Sequence, residues 1–151
     1  MGPLWDFNNA FDNGFEQSIQ ETGFVMLDKP IYSMLFRDEQ FTEKVIERYR
    51  ELRRDLLSDE TVSKYIDAVV DYLSPAIKRN YEVWGYTIDP DVIPLLDTDQ
   101  RLEPIVRNPT SHDEAVSDLK DSFLKRMAWL DNNIETLKQY SHESAVKGYN
   151  H

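Results

Sequence analysis

Val116, Leu119, Phe123, Met127, Leu130, Ile134 and Leu137 recur at spacings of three or four residues near the C-terminal end of the chain. Only an α-helix brings positions with that period onto one face, so this region is committed to a long amphipathic helix. Its start is marked as clearly as its stripe. Ser111-His112-Asp113-Glu114 fits a capping box, with Ser111 as the cap and Glu114 reaching back to it. The period predicts a helix to about Tyr140, followed by a frayed tail over 141–151.

Two further helices follow from the same reasoning. Asp38 reads as the N-cap of a helix running to about Leu57, with Phe41, Val45, Ile46, Tyr49, Leu52 and Leu56 as its apolar stripe. On its wetter faces, Glu47 with Arg50 and Glu51 with Arg54 are spaced for i,i+3 ion pairs. Ser58, with Asp59 and Glu60 behind it, caps a third helix. Val62, Tyr65, Ile66, Val69, Val70, Leu73, Ile77, Tyr81 and Trp84 make its expected buried face, Pro75 is expected to kink it, and Gly85 to stop it. Core packing accounts for Trp84 and for Trp129.

The remainder is less regular. Pro30 to Phe36 suits a short helix with proline in its first turn. Phe24-Val25-Met26-Leu27 reads as a short buried strand or a packed segment, and Asp12-Asn13-Gly14 as a turn. Between 86 and 110 stand Pro90, Pro94, Pro104 and Pro109, which predict an irregular insertion. The fold expected is therefore mainly α. A loop-rich segment over 1–30 precedes a helical domain over 31–140, a bundle of about three long helices, and a tail follows over 141–151.

Composition narrows the chemistry. With 151 residues and a 40% hydrophobic fraction, one folded domain with a true core is expected. Twenty-eight acids against seventeen bases leave a net charge of −11, which argues against nucleic acid or an anionic membrane as the main partner. The absence of cysteine excludes disulfides, thiol nucleophiles and thiolate zinc sites. No run is apolar for long enough to be a signal h-region or a membrane span.

Most constellations have a plain explanation. His112, His142 and His151 lack the spacing of metal ligands and read as surface or capping residues. No P-loop, GxGxxG or GxSxG pattern occurs. Arg48, Arg50, Arg53 and Arg54 could bind phosphate, but pairing with nearby acids is the commoner role of such residues. Asp89, Asp91, Asp97 and Asp99 lack the glycine and the terminal glutamate of a calcium loop. Asp6 is different, for it stands between Trp5 and Phe7 with Asn8 beside it. An acid in an apolar collar needs a cation, a metal or backbone donors, because an unpaired buried charge is costly. Both the structural and the ligand readings stand, the structural one being commoner on local physics.

The order of these motifs adds a resemblance. Gly2-Pro3-Leu4-Trp5-Asp6-Phe7-Asn8-Asn9-Ala10-Phe11-Asp12-Asn13 resembles the GPxWDFDxAFGN signature of the CotH kinase family, the spore coat protein H type. The family's following helix, LFxDxxFxxxVxxRYxELR, is matched by Leu35-Phe36-Arg37-Asp38, Phe41, Val45 and Arg48-Tyr49-Arg50-Glu51-Leu52-Arg53. Ile66-Asp67 and Asn80 with Trp84 resemble its next helix. Leu119-Lys120, Arg126 and Trp129-Leu130-Asp131 with Ile134 resemble its last.

The resemblance implies an atypical protein kinase fold that uses ATP with magnesium or manganese to phosphorylate protein. Asp6 matches the family's metal-binding aspartate, whose ion bridges the β- and γ-phosphates. Asn8 stands where many relatives carry a second aspartate, and its neutral amide is the poorer ligand. In the family a nucleotide-covering loop, an ATP-positioning lysine and a catalytic loop precede this motif, and the chain offers none of them. It therefore reads as the C-terminal part of such a kinase, inactive and binding no cofactor alone, with no catalytic residue to name. Its implied partners are an N-terminal kinase lobe or a protein substrate. The alternative is a non-catalytic helical interaction domain of a spore-coat or cell-surface protein, and a third expectation is self-association through an exposed surface. The resemblance also implies a place at the cell surface, outside the cell or in a spore coat; no signal in the chain adds to it.

Overall fold

Each long helix begins at a side chain able to cap it. The computed structural model describes residues 21–24, 27, 29–84 and 111–142. Its elements run α1 (Pro30–Leu35), α2 (Glu39–Arg53), α3 (Asp59–Trp84) and α4 (His112–Asn133), and a 3₁₀ segment (Ile134–Tyr140) continues from α4. The Asp38 carboxylate accepts from the Phe41 N–H at 2.9 Å, Ser58 Oγ from Thr61 at 3.2 Å and Ser111 Oγ from Glu114 at 3.2 Å. All three are N-terminal donors that the helix itself leaves unpaired. Pro30 occupies the first turn of α1, where its missing N–H costs nothing. The mainly α fold with three long helices is thus the one observed.

The chain divides into two compact units, one of Thr22–Val62 with Arg126–His151, the other of Met1–Glu21 with Ser63–Lys125. The first is built on a small apolar core of Ile46, Ile134 and Leu137, against which Phe24, Leu27, Phe36, Val45, Tyr49 and Leu130 pack. Ile46 and Leu137 are each only 2% exposed. Phe24 and Leu27 pack against this core, the Leu27 N–H bonding the Phe24 carbonyl at 3.0 Å, while Val25 and Met26 of the expected strand or packed segment lie outside the described residues. Thr42 is fully buried, and its hydroxyl lies within bonding distance of the Phe36 and Asp38 carbonyls at 3.1 and 3.0 Å. A buried polar group thereby keeps a partner.

Three boundaries differ from the expectation. α2 stops at Arg53 rather than near Leu57. The Arg54 N–H is shared between the Arg50 and Glu51 carbonyls, Leu57 N–H turns back to the Leu52 carbonyl at 2.8 Å, and Arg53 Nη1 donates to the Leu57 carbonyl at 2.5 Å. These bonds satisfy the helix end and free Ser58 to cap α3, while Leu56, the last residue of the expected stripe, is 62% exposed. At the other end of the chain, α4 passes into 3₁₀ geometry at Ile134 before reaching Tyr140. Two residues of the expected tail, Ser141 and His142, are described and packed against the rest of the unit. His142 N–H donates to the Arg37 carbonyl at 2.8 Å and its own carbonyl accepts from Glu39 at 3.2 Å, a parallel bridge that pins it beside the start of α2.

In the second unit the expected buried face of α3 is not found. No residue of α3 is buried: Tyr65 is 70% exposed and Trp84 75%, while Val62, Ile66, Val69, Val70, Ile77 and Tyr81 are half-buried. Periodicity marks a face as apolar without saying what covers it, and core packing does not explain Trp84. α3 continues through Pro75 as one helix. Residues that do pair in this unit include Lys120 with Asp67 at 2.5 Å and Lys125 with Glu21 at 3.2 Å. The rings of Tyr81 and His112 meet edge to face at 6.2 Å. On α4 the stripe behaves as expected, with Phe123, Met127, Ile134 and Leu137 buried and only Leu119 at its N-terminal end open.

Candidate functional site

Tyr49 and Arg53 are four residues apart on α2 and so share a face. Opposite them stands Asp131 of α4. The Tyr49 hydroxyl donates to Asp131 Oδ1 at 2.7 Å. Arg53 meets the same carboxylate with a fork, Nε to Oδ1 at 3.0 Å and Nη2 to Oδ2 at 2.8 Å. Its remaining nitrogen, Nη1, pairs with Asp59 Oδ1 at 2.9 Å, at the first residue of α3. The Arg53 side chain is only 16% exposed, so a shielded cation is held between two carboxylates. That arrangement suits the planar guanidinium and would not suit lysine.

The electrostatics follow from the geometry. The Arg53 hydrogen bond holds Asp131 below its usual value, against the opposing effect of burial. Burial and the bond to Asp131 push Tyr49 up. The same bond strengthens the protonated form of Arg53. All three groups are therefore locked in one protonation state near neutrality. Groups that exchange protons in catalysis are tuned the other way, toward the working pH. This cluster is a clamp between α2 and α4.

Around it lies a shallow open groove of about 400 Å³ lined by Tyr49, Arg50, Arg53, Arg54, Asp131, Ile134 and Glu135. Arg50 bonds Glu135, whose carboxyl is held low by Lys138 and then by Arg50. Arg48 pairs with Glu51 at 2.9 Å, and Arg54 Nε donates to the Arg50 carbonyl at 3.2 Å. Ion pairing is thus the role of Arg48, Arg50 and Arg53, but with partners other than Glu47–Arg50 and Glu51–Arg54. Carboxylates from the 3₁₀ segment and from α4 take Arg50 and Arg53, while Arg48 keeps an i,i+3 partner in Glu51.

A second anchored cation lies nearby on α4. Arg126 donates from Nη1 to the Gly23 carbonyl at 2.7 Å and lies 5.1 Å from the centre of the Trp129 ring, while burial lowers its basicity. Phe24 meets Trp129 edge to face at 4.9 Å. Gly23 has φ +85°, a left-handed turn that favours glycine and presents this carbonyl. Trp129 is therefore a packing residue, as expected.

Asp6 and Asn8, the two metal candidates, lie outside the described residues. So do Asp89, Asp91, Asp97, Asp99 and His151. His112 starts α4 and His142 makes the backbone bridge to Asp38. Among the described residues no group of three or more His, Asp or Glu is placed to hold a metal ion. Nor is any described helix long and apolar enough to cross a membrane. Sequence reasoning missed the Tyr49–Arg53–Asp131 clamp, although both halves were quoted as motifs. A separation of 78 residues between Arg53 and Asp131 carries no local signal.

Comparison with known proteins supplies what the geometry does not. The family described as CotH kinase protein matches residues 1–130, taking in Asp6, Asn8, α1 to α3 and α4 as far as Leu130. No curated protein and no solved structure matches the chain.

Proposed function

We propose, since this chain belongs to the CotH kinase protein family, that it is the mainly helical part of an atypical protein kinase. The protein it serves would transfer phosphate from ATP to a protein acceptor. Asp6 is the residue proposed to hold the divalent ion, with Asn8 beside it as a weaker ligand or a residue that orients water. A carboxylate and an amide oxygen are hard donors, of the kind magnesium and manganese accept alongside phosphate oxygens. When bound, such an ion offsets the charge that builds on the transferred group. The observation that carries this reading is the family match across the Trp5-Asp6-Phe7-Asn8 motif.

Phosphoryl transfer depends on positioning as much as on the metal. No nucleotide-covering loop, strand lysine or catalytic loop is recognisable in the 151 residues. The chain by itself is therefore proposed to be inactive and to need a kinase lobe as its partner. Calorimetry of the 151-residue chain with ATP and magnesium or manganese tests this. Negligible heat is expected; tight binding, or autophosphorylation, would overturn the proposal of inactivity. In a protein carrying the nucleotide-binding lobe, Asp6→Ala should lower phosphate transfer by roughly 100-fold or more, as loss of a group stabilising transition-state charge does. Unchanged transfer would remove Asp6 from the site.

A second reading, a non-catalytic helical domain at a spore coat or cell surface, is favoured by one observation. Tyr65, Tyr72, Val83 and Trp84 of α3 are all 70% exposed or more. Surfaces of that kind are commoner on proteins that bind others.

A further inference from the structure

The 3₁₀ segment that continues α4 is seven residues long, more than this geometry usually sustains, and it sorts its side chains into three rows. With three residues per turn, positions i and i+3 stand one above the other. Ile134 and Leu137 make the row that enters the core, 7% and 2% exposed. Glu135 and Lys138 make a charged row, paired with each other and, through Glu135, with Arg50 of α2. Thr136 and Gln139 make the third row, exposed and uncharged. This row lines an open groove of about 510 Å³ whose walls also include Phe24, Trp129 and Tyr140. Among the described residues no charged side chain lines that groove, whereas the groove beside the clamp is lined by arginines and acids.

The geometry points to a neutral oligosaccharide as the ligand of this groove. The groove has the size of a small-molecule site and combines aromatic rings with a few polar groups, as such sites do. A pyranose ring matches that combination. Its C–H face is apolar and slightly positive and stacks on the negative face of an aromatic ring, while its rim carries hydroxyls that both donate and accept. The groove holds groups for both directions. Among the described residues the Gln139 amide and the Tyr140 hydroxyl make no hydrogen bond, so each can donate and accept. The Thr136 hydroxyl donates to the Asn133 carbonyl at 2.7 Å, which leaves its oxygen as an acceptor. That acceptor favours a ligand bearing hydroxyls over a proline-rich peptide, the other ligand aromatic grooves take, whose prolines offer carbonyls but no N–H. The lack of charge disfavours phosphates, nucleotides and acidic sugars, which would lose water there without gaining a cation. Trp129 is half-buried and already held by Phe24 and Arg126, so its ring costs little to order when a ligand stacks on it. Tyr140, 44% exposed, stands at the open end of the core row.

This site stands apart from phosphoryl transfer, and NMR titration of the isotope-labelled 151-residue chain tests it. The probes are linear tetrasaccharides of glucose and of N-acetylglucosamine, with inorganic phosphate and hexaproline as contrasting ligands. At least one tetrasaccharide should shift the Trp129 indole and the backbone amides of Thr136 and Gln139 saturably, with a dissociation constant of roughly 1 mM. Gln139→Ala should raise that constant roughly 3- to 10-fold, the effect of losing one neutral hydrogen bond. Tyr140→Ala should raise it roughly 10-fold or more, and Tyr140→Phe, which keeps the ring, by less. Both positions are exposed, and far-UV circular dichroism with urea denaturation checks that each variant keeps the wild-type fold. If neither tetrasaccharide moves these signals at about 10 mM, well above the expected constant, the proposal is overturned. Binding indifferent to both Gln139→Ala and Tyr140→Ala overturns it equally. So does a groove that takes phosphate or hexaproline in place of the sugars.

Discussion

α2 and α3 are both amphipathic helices opened by a side-chain cap, yet they are used in opposite ways. α2 packs its Ile46 against Ile134 and Leu137 and is fastened to Asp131 through Tyr49 and Arg53. α3 is eleven residues longer, 26 against 15, and buries none of its side chains. A helix gains most of its stability from the face it packs, since the isolated helix is marginal. α2 is therefore part of what holds its unit together. α3 half-buries Val62, Ile66, Val69, Val70, Ile77 and Tyr81, pairs Asp67 with Lys120, and leaves Tyr65, Tyr72 and Trp84 open.

Core truncation tests that contrast most severely. Leu137→Ala removes a side chain that is 2% exposed, with Ile46 and Ile134 around it. It should cost about 2–5 kcal/mol in urea denaturation, the usual range for emptying a packed site. Tyr72→Ala on α3, whose side chain is 84% exposed, should change stability by no more than about 0.5 kcal/mol. If the two substitutions cost the same, α3 is not the open surface described here.

How far the sequence could be read divides along the same line. The stripe from Phe123 to Leu137 was legible because its period is local and its partners needed only to be apolar. The caps at Asp38, Ser58 and Ser111 were legible because capping acts over three residues. The end of α2 was not, since it depends on Arg53 reaching over to the Leu57 carbonyl. Nor was the clamp, for Tyr49, Arg53 and Asp131 meet only once the chain has folded. The stripe on α3 gave the same periodic signal as that on α4, and period alone could not tell a covered face from an open one. Asp6 and Asn8 lie outside the described residues, so their part rests on family membership.

The clamp should cost less than the core but leave a distinct signature. Asp131→Asn removes the charge that Arg53 and Tyr49 share, leaving a cation whose side chain is 16% exposed with Asp59 as its remaining carboxylate. A loss of about 1–2 kcal/mol is expected, at the lower end for charged hydrogen bonds because Asp131 itself is partly open to water. This loss should depend on pH in one direction. Asp131 has a folded-state pKa below its ordinary 3.8, so the folded chain holds fewer protons than the unfolded one in this range. Its contribution is complete above 3.8 and fades as the pH falls through and below that value. Denaturation of wild type and Asp131→Asn across that range should show the two curves converging in acid. A gap that stays constant would mean the carboxylate is not ionised in the clamp.

The cap of α3 should cost less than the clamp. Ser58 Oγ accepts the Thr61 N–H at 3.2 Å, and its hydroxyl also lies 2.8 Å from Thr61 Oγ1. Ser58→Ala leaves that N–H without its protein acceptor but exposed to water, so a loss of about 1 kcal/mol or less is expected. Ser58→Gly should recover most of it, since glycine is a fair cap. What distinguishes α3 is where the loss appears. Once the cap is gone, the first turn of α3 is held by half-buried Val62 and the pair of Asp59 with Arg53, without a fully buried side chain. Amide exchange in Ser58→Ala should therefore quicken at Thr61, Val62 and Ser63, while the amides of Ile46 and Leu137 keep their wild-type protection. Exchange that rises equally in both places would mean that α3 unfolds together with the α2 core, and that its open face is coupled to that core after all.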